Sequence, residues 1–548
     1  MNYKKLAELL FPHVDKTPED YEAAYPQRNL PEGAKVTRLG PSPTGFIHLG
    51  NLYGAFVDER LAHQSGGIFY LRIEDTDDKR EVEGAVEAVI SSLDYFGVRF
   101  DEGTTVDGET GSYGPYHQSS RGDIYRCFAK WLTQQGKAYP CFCTEEEIQT
   151  VRDQQESLKE NPGYYGKWAK CRDLSYEVIE ERVKAGMPFV LRFRSDGDAQ
   201  RNFEIEDGIR GTLSMPENVQ DVVILKQNGI PTYHFAHVVD DHLMRTTHVV
   251  RGEEWLSSLP IHVALFNALG WSLPVYCHTT VLMKMEGETK RKLSKRKDPE
   301  LSLNYYRSLG YHPRAVREYL LTILNSNYEE WRIANPDAPA EEFAFTTEKM
   351  SNSGTLFDLD KLNDVSKETL VKMSSEELYD FLCAWAEEYK PELAELFKED
   401  REKMIRILSM DRTGPKPRKD LVYCEQIFEY IRYFFDAYYR PEEGFPENVD
   451  KGDLLPILKG YLETYSAEDD QETWFGKIRE LAMSLQYAAK PKDFKKNPDQ
   501  YKGHVGDVST VIRVALMGRS NSPDLWEIQQ IMGEAQTRSR IEAAMAAL

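Results

Sequence analysis

The sequence predicts a parallel α/β domain that is interrupted by an α+β insertion and followed by a long all-α region. Three observations predict it. Strand-like and helix-like stretches alternate twice between Lys35 and Gly97, as a parallel sheet with helical crossovers requires. The alternation lapses over 117–233 and resumes at Thr247. From about residue 301 to the end, amphipathic helical runs dominate.

Taken in order, residues 1–34 are polar and carry Pro12, Pro18, Pro26 and Pro31, which reads as a short helix followed by an irregular arm. Residues 35–39 read as a strand that runs into the turn-rich loop Gly40-Pro41-Ser42-Pro43-Thr44-Gly45. A helix follows over 49–63, ended by Gly66-Gly67. Residues 68–73 (IFYLRI) suit a short buried strand. The next helix carries Val82, Val86, Val89, Ile90, Leu93 and Phe96 on one face, with Gly97 just past its end. The insertion mixes helical patterns (121–135, 145–155) with strand-like pieces (189–194, 222–226), and Asn228-Gly229 signals a hairpin from 222–226 to 231–236. Residues 247–250 read as a strand, 259–269 as a helix with Pro260 in its first turn, and 275–282 as another strand. In the tail, helices are expected over 376–388, 421–439 and 474–489, separated by Pro-rich breaks at 415–417 and 441–446.

Composition limits the function classes. A chain of 548 residues implies three to five domains, at ~100–200 residues each. With 41% hydrophobic and 29% charged residues it is globular. Its longest apolar stretches, such as 319–324, fall far short of the ~20 residues that cross a bilayer, and the first residues lack a secretory apolar core. Seven cysteines are too sparse for a disulfide framework, so a cytoplasmic location is expected. A net charge of -22 excludes coating of nucleic acid by bulk charge but permits local basic sites.

Two segments carry chemistry. A strand, a Pro/Gly turn and a helix start at His48-Leu49-Gly50-Asn51 suit phosphate binding, because the first helical N–H groups point outward without partners. Gly50 lets a ribose or base approach the backbone, and His48 can donate to a phosphate; alone, such a histidine reads first as a helix cap. The second segment, 290–297 (KRKLSKRK), holds six cations in eight residues. A solvated charge run is its plain reading, but a cationic loop between a strand and a helix is what a triphosphate needs, since charge grows on the leaving pyrophosphate.

RLGPSPTGFIHLGN resembles the "HIGH" signature of class I aminoacyl-tRNA synthetases, and KLSKR resembles their "KMSKS" loop. LRIEDTD, YHFAHVVDDHLM and VVRGEEW narrow the resemblance to the glutamyl-tRNA synthetase family of bacterial type, and SGTLFDLDKLN, within 351–363, fits its junction towards the anticodon region. The resemblance implies a Rossmann-type catalytic domain in two halves (35–116 and 234–275) after an N-terminal extension (1–34). It also implies an inserted α+β acceptor-stem-binding domain (117–233), a KMSKS and stem-contact segment (276–370) and an all-α anticodon-binding region (371–548). Two departures are Gly40, where the family has alanine, and the arm before Arg38, which exceeds the family's short start.

The implied reaction joins L-glutamate to ATP as glutamyl-adenylate and then to the terminal adenosine of tRNA-Glu, and of tRNA-Gln as well in some members. By the same resemblance His48, Lys292 and Lys295 are catalytic. Pro41, Ser42, Pro43, Thr44, Gly45, His48, Gly50, Asn51 and Lys295 bind ATP with Mg²⁺. Arg38 and Arg251 hold carboxylates of glutamate, Glu74 its ammonium, and Ser42, Tyr233 and His237 complete the pocket. Trp255, Asp240 and Asp241 read as structural. A monomer is the family expectation.

Cys141, Cys143 and Cys171 with Asp173 correspond to a zinc site in part of the family. Aspartate is the poorer ligand, so a packed, reduced cluster is preferred and no metal ligand is assigned. For tRNA, Lys167, Lys170 and Arg172 beside Tyr164, Tyr165 and Trp168, together with Lys416, Arg418 and Lys419, are candidate contacts. The glutaminyl enzyme is disfavoured by the helical tail. A truncated relative that glutamylates a modified tRNA base is disfavoured by length. A small-substrate nucleotidyltransferase would leave the tail without a role.

Overall fold

The computed structural model describes residues 1–43, 47–77, 82–412 and 414–548. Two compact units emerge: Met1–Tyr305 with Arg317–Asp358, and Tyr306–Val316 with Leu359–Leu548.

In the first unit the N-terminal arm forms two helices, α1 (Tyr3–Leu10) and α2 (Pro18–Ala24), where one was expected. Thr17 and Asp20 form a capping box over Pro18, the residue type best suited to a first helical position. The arm is well anchored. Leu6 and Ala7 are fully buried, Glu22 pairs with Arg245 at 2.7 Å, and Arg28 forks onto Glu102 at 2.9 and 3.0 Å.

Strands β1 (Val36–Leu39), β2 (Ile68–Leu71) and β3 (Glu102–Thr105) run parallel, and β4 (Gly108–Thr110) folds back on β3. Helices α3 (Leu49–Gln64) and α4 (Ala85–Tyr95) make the crossovers. Buried on nearly every side, α3 lacks the apolar stripe of a surface helix. Val82 lies outside α4 and is exposed, which corrects the expected helix face.

The insertion places α5 (Gly122–Gln134), α6 (Glu145–Ser157) and α7 (Tyr176–Lys184) with a small sheet of β5 (Ala138–Cys141), β6 (Val190–Phe193) and β9 (Val223–Leu225). Its hairpin of β7 (Asn202–Asp207) and β8 (Gly211–Pro216) was not anticipated. The Asn228-Gly229 turn closes only one bridge, Leu225 to Pro231. The chain then enters α8 (Tyr233–Leu243), so 231–236 is not a strand. Next come β10 (His248–Gly252), α9 (Leu259–Leu269) and β11 (Val275–Thr279). β10 pairs with β11 and β11 with β7, both in parallel. The single expected strand over 275–282 divides at this point, because β12 (Leu282–Glu286) turns to pair with β13 (Thr289–Lys292) and β14 (Thr355–Leu356).

The starts of β1 and β10 are joined by Thr247 N–H donating to Val36 O at 2.9 Å. The parallel strands therefore succeed one another as β3-β2-β1-β10-β11, and the order reverses between β1 and β10. A crevice at the carboxyl ends of strands on either side of such a reversal is where open α/β sheets bind ligands.

The second unit is helical around an apolar core that includes Leu382, Ile427, Ile457, Ile512 and Ile528, all fully buried. The helix expected over 421–439 shortens to Cys424–Ile431 and one tight turn, Arg432–Phe434. No helix among the described residues is long and apolar enough to cross a membrane.

Candidate active site

The crevice at the β1/β10 reversal is a cavity of about 530 Å³. Its wall includes Arg38, Ser42, His48, Gly50, Asn51, Glu74, Tyr233, Arg251, Lys292 and Lys295. The histidine turn and the lysine-rich loop, far apart in sequence, thus meet around one space.

His48 is the N-cap of α3. Its Nδ1 accepts from Asn51 N–H at 3.2 Å, and Asn51 Oδ1 accepts from His48 N–H at 3.1 Å. That box fixes the tautomer: Nδ1 is the acceptor, so the ring proton sits on Nε2. Burial, with Lys295 and Lys292 nearby, lowers the imidazole pKa to about 4. His48 is therefore a neutral donor at working pH. A Cβ on Gly50 would come within 3.0 Å of the His48 ring, so glycine leaves that ring its place.

The loop after β13 is shaped by Asp298. Arg291 binds it in a fork at 2.6 and 2.7 Å, and Ser294 N–H donates to it at 2.8 Å. Leu293 is buried. Arg291 is therefore engaged in folding the loop, while Lys292 and Lys295 reach the cavity wall. Of the six cations in the run, one thus anchors the loop and two line the cavity.

Deeper in, Asp241 organises three groups. Arg38 Nε donates to it at 3.2 Å, Arg72 at 2.6 Å, and His237 Nδ1 lies 2.7 Å away. Burial works against Arg38's charge, but Asp241, with Tyr233 and Glu74, outweighs it and holds the guanidinium above its ordinary value. Burial likewise opposes the Asp241 charge, yet Arg38, Arg72 and His237 hold its carboxyl well below the usual range. Glu74 accepts from Arg72 at 3.0 Å, and burial raises its pKa despite Arg72 and Arg38. Asp240 bonds Arg121, Tyr125 and Gln118 away from the cavity, as a structural residue should.

Most expected site residues share this cavity; among the described residues three, Pro41, Pro43 and His237, do not line it. Thr44 and Gly45 fall outside the described residues. Pro41 and Pro43 belong to the turn but not to the wall. His237 is fully buried behind Tyr233, its ring stacked on the tyrosine at 5.7 Å and its Nε2 3.1 Å from Tyr276 Oη. Trp255, expected to pack rather than to do chemistry, with a pocket wall as the alternative, lines the wall against Tyr233 at 4.4 Å between ring centres. Thr279 and Thr280 also line it and were missed, since nothing local in the sequence marks the end of β11 as a ligand wall.

The basic patch expected in the insertion is largely neutralised. Arg172 binds Asp221 at 2.6 Å, Lys167 binds Glu160 at 2.7 Å, and Tyr164 is buried. Tyr164 stands instead among the cysteines, its Oη 3.4 Å from Cys141 Sγ and 3.3 Å from Cys143 Sγ. The sulfurs of Cys141, Cys143 and Cys171 lie within 4.8 Å of one another. Hydrogen bonds from Cys143 and Cys171 favour a thiolate on Cys141. Asp173 turns away to Arg194 and is exposed.

A model of the class I tRNA synthetase catalytic domain (E and Q) matches residues 35–364, and an anticodon binding domain model matches 393–545. A glutamate–tRNA ligase of Acetivibrio thermocellus is 64% identical over 543 residues, covering 99% of this chain and 100% of that protein. One of Clostridium perfringens is 51% identical over 546 residues, covering 99% and 100%. The crystal structure of a glutamate tRNA ligase from Elizabethkingia meningosepticum in complex with its amino acid superposes with a TM-score of 0.76 at 28% identity, covering 94% of this chain and 99% of that one. With both signature loops closing on one cavity and the matches spanning nearly the whole length, the chain belongs to the glutamate–tRNA ligase family of class I aminoacyl-tRNA synthetases.

Proposed function

We propose that the cavity binds ATP at its His48, Lys292 and Lys295 end and glutamate between Arg38, Glu74 and Arg251. The reaction is the ATP-dependent charging of tRNA with glutamate through glutamyl-adenylate. The observation that carries this assignment is the meeting of a neutral histidine donor and two lysines with two arginines and a buried carboxylate in one space. The substrates supply the nucleophiles, a carboxylate and then a tRNA hydroxyl, so the protein's work is positioning and charge stabilisation. His48 Nε2–H and the two ammonium groups stabilise the α-phosphate and the departing pyrophosphate. Glu74 takes the substrate ammonium, and Arg38 and Arg251 take its carboxylates. Mg²⁺ accompanies ATP in this family and neutralises phosphate charge when bound.

The insertion grips the acceptor end of tRNA-Glu, and the helical region reads the anticodon. Seven free cysteines accord with a reducing cytoplasm, and a monomer suffices, since one chain supplies every residue invoked. The thiols of Cys141, Cys143 and Cys171 supply three sulfur ligands of the kind structural zinc takes, set against the packed, reduced cluster that the sequence favours. Metal analysis of purified protein should find one zinc per chain, lost in Cys143→Ser; metal-free protein would leave a packed thiol cluster.

His48→Ala and Lys295→Ala should each reduce glutamate-dependent ATP–pyrophosphate exchange, measured with tRNA-Glu present, by about 10²–10³-fold. Charging of tRNA-Glu and tRNA-Gln with labelled glutamate, and then glutamine, tests the substrates in the same preparation. Undiminished exchange in either variant would count against the assigned roles.

A further inference from the structure

Arg251 is buried at the cavity wall, yet among the described residues no carboxylate pairs with it. Its Nε donates to His278 Nε2 at 3.0 Å, and its Nη1 lies 3.0 Å from His262 Nδ1. A guanidinium only donates. Both imidazole nitrogens must then be acceptors, so each ring carries its proton on the other nitrogen. For His278 that nitrogen is Nδ1, 2.6 Å from Asp207 Oδ2. For His262 it is Nε2, 3.0 Å from His234 Nδ1. Arg251 Nη2 is buried and has no hydrogen-bond partner among the described residues.

The fold builds this arrangement from separate elements. Arg251 and His278 are register partners on β10 and β11, His262 comes from α9, and Asp207 ends β7 beside Tyr276 of β11. Asp207 is itself fixed by the Ile209 and Arg210 N–H groups, each at 3.0 Å. Arg38 differs: Asp241 already compensates its charge.

We propose that His262 and His278 are positioning residues for glutamate recognition. They form a neutral cradle that fixes the Arg251 guanidinium without cancelling its charge, so that Nη2 presents a whole positive charge to a substrate carboxylate. An anionic partner in the same place would hold the arginine equally well but would compete with the substrate. Neutral acceptors keep the side chain ordered before binding, which lowers the ordering cost of recognition. This inference rests on Arg251 as a carboxylate-binding residue and deepens that assignment.

Two variants of the same size separate the cradle from simple packing. His262→Gln keeps a neutral acceptor towards Arg251, whereas His262→Glu puts an anion there. In steady-state charging of tRNA-Glu, H262Q should raise the KM for glutamate only a few-fold. H262E should raise it by roughly 10–100-fold, the loss of a charge-assisted hydrogen bond. The KM for ATP and kcat should move less than about threefold in both. Equal glutamate KM values in the two variants would overturn the cradle. Arg251→Ala is the control for the underlying assignment. A raised glutamate KM in R251A beside equal values in H262Q and H262E rejects the cradle alone; an unchanged KM in R251A rejects both. If H262E fails to fold, His278→Gln against His278→Leu decides. The glutamine retains both hydrogen bonds and should restore most of the glutamate affinity that leucine loses; equal KM values in that pair also overturn the proposal.

Discussion

The two units bury different things. The helical unit is built on an apolar core in which residues such as Leu382, Ile457 and Ile512 are fully covered. The sheet-bearing unit buries Arg38, Arg72, Asp241 and several histidines at or behind its cavity, and the Arg121–Asp240 pair elsewhere in its interior. Burying charge is costly unless each charge is paired, so the second pattern is not a route to stability. It gives pre-oriented charged groups shielded from solvent by burial, where electrostatic interactions are strengthened. One interior is shaped by packing and the other by recognition.

Paired substitutions sharpen that contrast. Asp241→Asn removes the shared partner of Arg38 and Arg72, leaves Arg38 without a carboxylate and Arg72 with Glu74 alone, and should destabilise its unit by about 3–5 kcal/mol. Leu382→Ala opens a cavity in the helical core and should cost about 2–5 kcal/mol. Denaturant melts give both magnitudes. Charging assays on the fraction still folded distinguish them: D241N should lose glutamate affinity, while L382A should keep it. A D241N protein with native glutamate affinity would break the comparison.

Acid provides a smaller, graded test. Burial lowers the pKa of His48, His234 and His248 to about 4, and that of His237 to about 3. All four lie in the sheet-bearing unit, and in the helical unit only His312 shows a comparable lowering among the described residues. The unfolded chain binds these protons near pH 6.5 and the folded chain does not. Stability is therefore full above that pH and falls as pH drops from 6.5 towards 4. Each histidine contributes a loss of roughly 1–2 kcal/mol at pH 5. Hydrogen exchange at pH 7 and pH 5 should show the sheet-bearing unit loosening more than the helical one. Equal loosening would mean that the histidine difference does not govern acid stability.

Much of this was legible in the sequence, for identifiable reasons. The helix Leu259–Leu269 is observed as expected, because Pro260 marks its start and Gly270 its end. His48 and Lys295 were legible because each sits in a contiguous motif. Residues 231–236 were misread because the Asn-Gly turn signal is strong, while α8 is too buried to show a polar face. The β7–β8 hairpin was written in alternation, with Phe203 and Ile205 between Asn202, Glu204 and Glu206, but only two apolar positions in the strand made a weak pattern. His278 and His262 could not be foreseen beside Arg251, because strand register and helix packing bring them together, and neither is a local property.

Gly40 carries a consequence of its own. A Cβ there would stand 2.4 Å from Glu74 Oε1. Where the family's usual alanine occupies this position, the carboxylate has to retract along its flexible stem. Glycine at this position therefore lets the Glu74 carboxylate lie against the backbone after β1, a place that a single methyl group would deny it.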